Sequence, residues 1–87
     1  MNARDLVAWN VRRIRVLRGI SSEALAAQAD VDRAYVSRIE RAVANPTVDV
    51  LERIARVLGV GMAELFGVPE PHEERPMPLP GGRRTRR

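Results

Sequence analysis

The chain has no cysteine and no lysine, a single histidine, and one each of tryptophan, tyrosine and phenylalanine in 87 residues. Each scarcity excludes something. Without cysteine there is no disulfide framework and no thiolate metal site. His72 alone cannot complete a histidine-rich metal site, and set among Pro and Glu it stands where a nucleophile–histidine–acid geometry could not be held. No apolar run approaches the roughly 20 residues that span a bilayer. The opening MNARDLVAWN lacks the apolar stretch of a secretory signal. A cytoplasmic location and no membrane partner are therefore the expectation. With so few aromatic residues, any core must be built from Leu, Ile, Val and Ala, and at this length its stability margin is small.

What is present in excess is arginine. All fifteen basic residues are Arg, set against eleven acids, for a net charge of +4. That total is modest and by itself establishes no nucleic-acid partner. Its distribution says more. Five of the six prolines fall between Pro69 and Pro80, followed by Gly81-Gly82 and the cluster Arg83, Arg84, Arg86 and Arg87. Prolines at this density remove backbone donors and interrupt helix. The chain thus divides into a folded domain, 1–67, and a Pro-rich, Arg-ended tail, 68–87, expected to be disordered. The domain holds ten Arg and eight acids and the tail five Arg and three Glu, so each contributes +2.

Residues 1–67 lack the alternating pattern of strands and read as all-α, a compact bundle of about five short helices. The first runs from about Arg4 to Arg18 and stops at Gly19. Val7, Val11 and Ile14 share one face, bordered by Asn10 and Leu17, while Trp9 and Val16 fall on another. The second, Ser22 to Ala29, follows Ser21 as N-cap and turns Leu25 and Ala26 inward. After the tight connection Asp30-Val31, Asp32 caps a third helix, Arg33 to Arg41, that buries Val36 and Ile39. Asn45-Pro46 marks a turn, and Thr47 caps a fourth helix, Val48 to Leu58, ended by Gly59. Its apolar residues are Leu51, Ile54, Ala55 and Leu58. A last short helix, Met62 to Phe66, offers Leu65 and Phe66.

Two short helices joined by a tight turn within a small bundle describe a helix-turn-helix. The run SSEALAAQADVDRAYVSRIER (21–41) carries Leu25-Ala26, Val31, Asp32-Arg33, Tyr35-Val36-Ser37 and Ile39-Glu40-Arg41 in order. Asn45-Pro46-Thr47 and Ile54-Ala55 with Leu58-Gly59-Val60 follow. In this ordered set the chain resembles the lambda repressor and Cro type of helix-turn-helix domain, the XRE family, over residues 7–66. It is similar to small stand-alone regulators such as the controller proteins of restriction–modification systems. The resemblance implies a lambda-repressor-like fold and a sequence-specific, DNA-binding transcriptional regulator, a repressor or autoregulator acting as a homodimer on a palindromic stretch of double-stranded DNA.

The residues suit that role. A helix fits the major groove, and its N-terminal residues reach base edges. Arg33 and Ala34, then Ser37 and Arg38 one turn on, lie opposite Val36 and Ile39 and are the candidate base readers. Arg33 leads, because arginine can grip guanine O6 and N7 with two donors. Ser22, Tyr35, Arg41 and Asn45 are the candidate phosphate ligands. The resemblance further implies an ion pair between Arg15 and Glu40 that ties the first helix to the third. Met62, Leu65, Phe66 and Val68 are candidates for a dimer interface, with Trp9 and Val16 a second patch. Each has a plainer role: solvated helix face for Arg33 and Arg38, helix C-terminal charge for Arg41, edge packing for Tyr35, and closure of the monomer core for at least two of Met62, Leu65, Phe66 and Val68.

The chain departs from the family at three points. Asp30 and Ala42 stand where glycine is usual, and the loop carries Val43 and Ala44 in place of basic residues. Asp tolerates the left-handed region better than Ala. Fewer phosphate contacts imply weak binding by one copy, which dimerisation would remedy. Two other readings remain open at this point. One is a controller or antitoxin protein of a restriction–modification or toxin–antitoxin locus; the other is a protein–protein adaptor that keeps the fold without binding DNA. No convergent acid pair, metal-ligand spacing, nucleophile–base set or Gly-rich phosphate loop is present, so no catalysis, cofactor or metal is expected. The tail would be a solvated extension, a phosphate-binding arm, or a docking segment for a protein partner.

Overall fold

The computed structural model describes residues 1–69; the tail from Glu70 onward, with His72 and the terminal arginines, lies outside the described residues. Among the described residues there are four α-helices and one 3-10 helix and no strand: α1 Ala3–Leu17, α2 Ser22–Ala29, α3 Arg33–Glu40, α4 Val48–Leu58, and the 3-10 helix Met62–Phe66. No helix among the described residues is long and apolar enough to cross a membrane.

Helix starts follow local chemistry. Ser21 and Thr47 accept from the backbone N–H groups of Ala24 and Val50 at 3.0 and 3.1 Å, satisfying donors the helices leave free. At α1 the helix begins one residue earlier than the apolar pattern suggests. Asn2 accepts from the Asp5 N–H at 2.9 Å, and the Asp5 carboxylate accepts from the Asn2 N–H at 3.2 Å, a reciprocal capping box. Asp32 occupies the N-cap of α3 with extended backbone, yet its side chain makes no capping bond. Its carbonyl alone receives the first N–H groups, from Tyr35 and Val36.

All four α-helices end alike. The N–H groups of Ile20, Val31, Val43 and Val60 reach back five residues to the carbonyls of Arg15, Ala26, Arg38 and Ala55 at 2.9–3.0 Å. The residue before each sits in the left-handed region: Gly19, Asp30, Ala42 and Gly59, at φ 59–75°. Ala42 is the strained member, since its Cβ crowds the neighbouring carbonyl in this conformation. Ala42→Gly is therefore expected to stabilise the chain by about 0.5–1 kcal/mol, the strain relieved less the added freedom of the unfolded glycine. A urea midpoint at or below that of the parent would contradict this.

The core sits where α1, α2, α3 and α4 converge. Val11, Leu25, Val36, Ile54 and Leu58 are fully enclosed, as is Leu65 from the 3-10 helix. Ala26 and Ala29 keep the α2 face small, and α2 packs closely against α3 and α4. Arg53 on α4 donates from Nε to the Ala29 carbonyl at 2.8 Å and so satisfies the negative end of α2.

Several side chains of α1 depart from the pattern expected of them. Trp9, placed with Val16 on a candidate surface patch, is 8% exposed and Val16 is half-buried, so they form no open apolar patch. Leu17, expected at the border of the core, is 73% exposed, although Ile14 and Arg15 of the same last turn are buried.

Asn10, also read as a border residue, is buried. Its Nδ2 donates to the carbonyls of Leu65 at 3.1 Å and Gly67 at 2.9 Å, as well as to Leu6 at 2.9 Å. Its Oδ1 accepts from Arg13 at 3.2 Å. One amide thereby fastens the C-terminal segment to α1.

Candidate nucleic-acid interface

Helices α2 and α3 are joined by Asp30, Val31 and Asp32 alone. The left-handed Asp30 reverses the chain after α2, and Val31 packs against the core. The result is a rigid corner from which α3 projects. Its inner face is closed, with Val36 at 0% and Ile39 at 2% exposure. Its outer face carries Arg33, Ala34, Ser37 and Arg38, all exposed. The four candidate base readers thus share one solvent-facing strip over a turn and a half.

The two arginines of this strip are not loose. Arg33 Nη1 pairs with the Glu23 carboxylate in the first turn of α2. The Arg38 guanidinium lies over the Tyr35 ring, 5.6 Å from its centroid. Tyr35 is half-buried against the core, so it offers Arg38 a fixed platform.

The candidate phosphate ligands lie around the strip's elements. Ser22 opens α2 and is half-buried, Arg41 is exposed at the C-cap of α3, and Asn45 is exposed in the loop before α4. Val43, in the same loop, is 58% exposed and offers no charge.

Behind the strip, α3 is fastened to α1 by charge. Arg15 donates to Glu40 from Nε at 2.6 Å and from Nη2 at 2.9 Å, a two-point contact. Arg15 Nη1 also donates to the Ile20 carbonyl at 3.0 Å, which fixes the chain entering α2. Arg12 joins through Nε at 3.3 Å from the same carboxylate. The side chains of Arg15 and Glu40 are 6% and 4% exposed, so this is a buried pair with its hydrogen bonds largely satisfied.

Of the residues named for an interface between copies, Phe66 is 39% and Val68 79% exposed, while Met62 is half-buried on the core. Leu65 is fully enclosed and cannot contribute surface to a partner. It faces inward because the Asn10 amide holds its carbonyl against α1.

Three participants are not evident from sequence patterns. Glu23 is ten residues from Arg33, and only the turn brings them together. Arg12 is one of several similar arginines on α1. Asn10 leaves a trace, a poor helix former in the middle of an apolar helical stretch.

A family profile described as Helix-turn-helix matches residues 11–65. The chain belongs to the helix-turn-helix family. The matched span runs from mid-α1 through the 3-10 helix and so contains the α2–α3 corner, the strip and the buried pair. A Neisseria hypothetical transcription factor, from Neisseria meningitidis serogroup B, is 40% identical over 67 residues, covering 77% of this chain and 63% of that protein. The chain therefore spans somewhat less than two thirds of that relative. The control protein C.BamHI of Bacillus amyloliquefaciens is 40% identical over 66 residues, covering 75% of this chain and 82% of that protein. Among solved structures, the restriction-modification controller protein C.AhdI from Aeromonas hydrophila superposes with a TM-score of 0.70 at 30% identity, covering 72% of this chain and 96% of that one. The all-helical, lambda-repressor-like fold expected from the sequence is thus the observed one.

Proposed function

We propose that this helix-turn-helix protein is a sequence-specific transcriptional regulator that reads the major groove with α3 as a homodimer. The observation that carries the reading is the exposed strip Arg33, Ala34, Ser37 and Arg38 on a helix whose opposite face is fully buried. Such a helix enters the groove as a rigid unit, its first turn leading. Arg33 reads a guanine, Ala34 and Ser37 meet neighbouring base edges, and Ser22, Tyr35, Arg41 and Asn45 hold phosphates. The similarity to proteins named as a transcription factor and as control proteins supports the same role.

The loop Val43-Ala44 brings no charge to the backbone, so a single copy makes few phosphate contacts. A second copy on an adjacent half-site doubles them, and two-fold symmetry then requires a palindromic operator with half-sites about one DNA turn apart. Phe66 and Val68 supply the exposed apolar surface for that pairing. In this arrangement residues 1–67 are the DNA-binding domain and the tail is a separate extension.

Selection of bound duplexes from a random pool tests the reading. Enrichment of paired half-sites with a fixed guanine is the expected result; recovery of no common sequence would refute it. Arg33→Ala should then weaken operator binding by about 1–3 kcal/mol and relax preference at one base pair per half-site. An equal loss on operator and random duplex would remove Arg33 from base reading.

A narrower role, controller of a restriction–modification locus, is favoured by the resemblance to C.BamHI and C.AhdI. Neighbouring genes for an endonuclease and a methyltransferase would support it, and their absence would leave the general regulator.

A further inference from the structure

The Glu23–Arg33 pair is peculiar for a protein that binds DNA. Glu23 stands in the first turn of α2, where the free N–H groups would otherwise favour a phosphate. A carboxylate there suits the helix but repels the DNA backbone. Nor is the pair needed for the fold. The two side chains are 64% and 68% exposed, and exposed pairs contribute little to stability.

Its geometry suits another purpose. Glu23 engages Arg33 through Nη1. A guanidinium has five N–H donors in a fixed fork, so one carboxylate contact leaves enough of them for both acceptors of a guanine. A free arginine must give up much side-chain freedom to present that fork; one already held by Glu23 gives up less. Exclusion of water from the groove strengthens the pair further.

The carboxylate also penalises error. The major-groove edges of A·T pairs, like those of G·C pairs, carry acceptors, and a Glu23 whose Arg33 has swung away to a phosphate faces them uncompensated.

We propose that Glu23 is a positioning residue that sets base discrimination by holding the Arg33 guanidinium at the corner between α2 and α3. It favours guanine at one step and weakens binding to all other DNA. This rests on the reading of the protein as a sequence-specific regulator.

The test measures binding of the full chain to a selected operator, to the operator with that guanine replaced, and to a random duplex, across a range of salt. Four proteins are compared: the parent, Glu23→Gln, Arg33→Ala and the double variant. Glu23→Gln should bind random duplex several-fold more tightly, because a repelling charge is gone. Its preference for the guanine should fall about tenfold. In the Arg33→Ala background the same change should leave base preference untouched. Circular dichroism melting should be the same for Glu23→Gln and the parent, as expected of an exposed pair.

Uniform tightening with base preference retained would overturn the proposal and leave Glu23 as a simple repellent. An equal fall in preference without Arg33 would overturn it too. A parent chain that selects no sequence at all would instead overturn the regulator reading, and this proposal with it.

Discussion

Replacing Glu40 with alanine is expected to cost about 3–5 kcal/mol, the range for removing one partner of a buried pair. For a domain of this size, at roughly 0.05–0.15 kcal/mol per residue, that is a large share of the available stability. The cause is what remains. Arg15 is almost wholly enclosed and gives three N–H bonds, two of them to Glu40 and one to the Ile20 carbonyl. Without the carboxylate, a buried cation is left with one neutral acceptor.

The reverse change should be milder. Arg15→Ala leaves Glu40 within 3.3 Å of Arg12, which is 32% exposed and can move closer. Replacing both Arg15 and Glu40 by methionine and leucine should cost less than Glu40→Ala alone, because no buried charge is stranded. Urea unfolding followed by circular dichroism gives all three values. A Glu40→Ala midpoint equal to that of the parent would show that the pair does not hold α3 to α1.

Removal of the Asn10 amide is expected to have the second largest effect, about 2–3 kcal/mol. Asn10→Ala leaves the buried Leu65 carbonyl without its side-chain donor and frees the Gly67 carbonyl. Leaving a buried polar group unpaired costs about 1–3 kcal/mol, and the space vacated adds to it. The damage should also be local. The segment from Met62 to Gly67 should lose hydrogen-exchange protection before α2 and α3 do, since it is the part that the amide pins to α1. A loss of protection spread evenly over all helices would count against this picture. If Phe66 and Val68 pair two copies, the same variant should dimerise more weakly, which sedimentation would detect.

Much of the fold is legible because helix boundaries depend on short-range chemistry. Ser21, Thr47 and Gly59 mark termini by what their own side chains or backbones can do, and the structure puts helix ends at each. Burial followed the periodicity where one face was plainly apolar, as for Val7, Val11 and Ile14, or Leu51, Ile54 and Leu58. Asn2 and Asp5 set the start of α1 through a capping box that lies outside the apolar pattern. Trp9 and Leu17 exchanged their expected environments because exposure at the edges of a helix depends on what lies alongside, which periodicity does not contain. Glu40 could be paired with Arg15 through family resemblance, but Arg12 as its third member could not, since α1 offers several equivalent arginines.

The sequence by itself determined the all-helical class, the helix ends to within a residue or so, the aliphatic core and the helix-turn-helix. These rest on interactions within a few residues and on an ordered set of apolar positions. The tertiary structure alone decided which arginines are free to face solvent. It brought Arg12 to the Arg15–Glu40 pair, set Arg38 over Tyr35 and paired Arg33 with Glu23 across ten residues. It also closed Leu65 into the core and left Phe66 and Val68 outside. The reason is physical: a charged side chain takes its partner from whatever the fold brings within about 4 Å, and that neighbour is fixed by packing between helices.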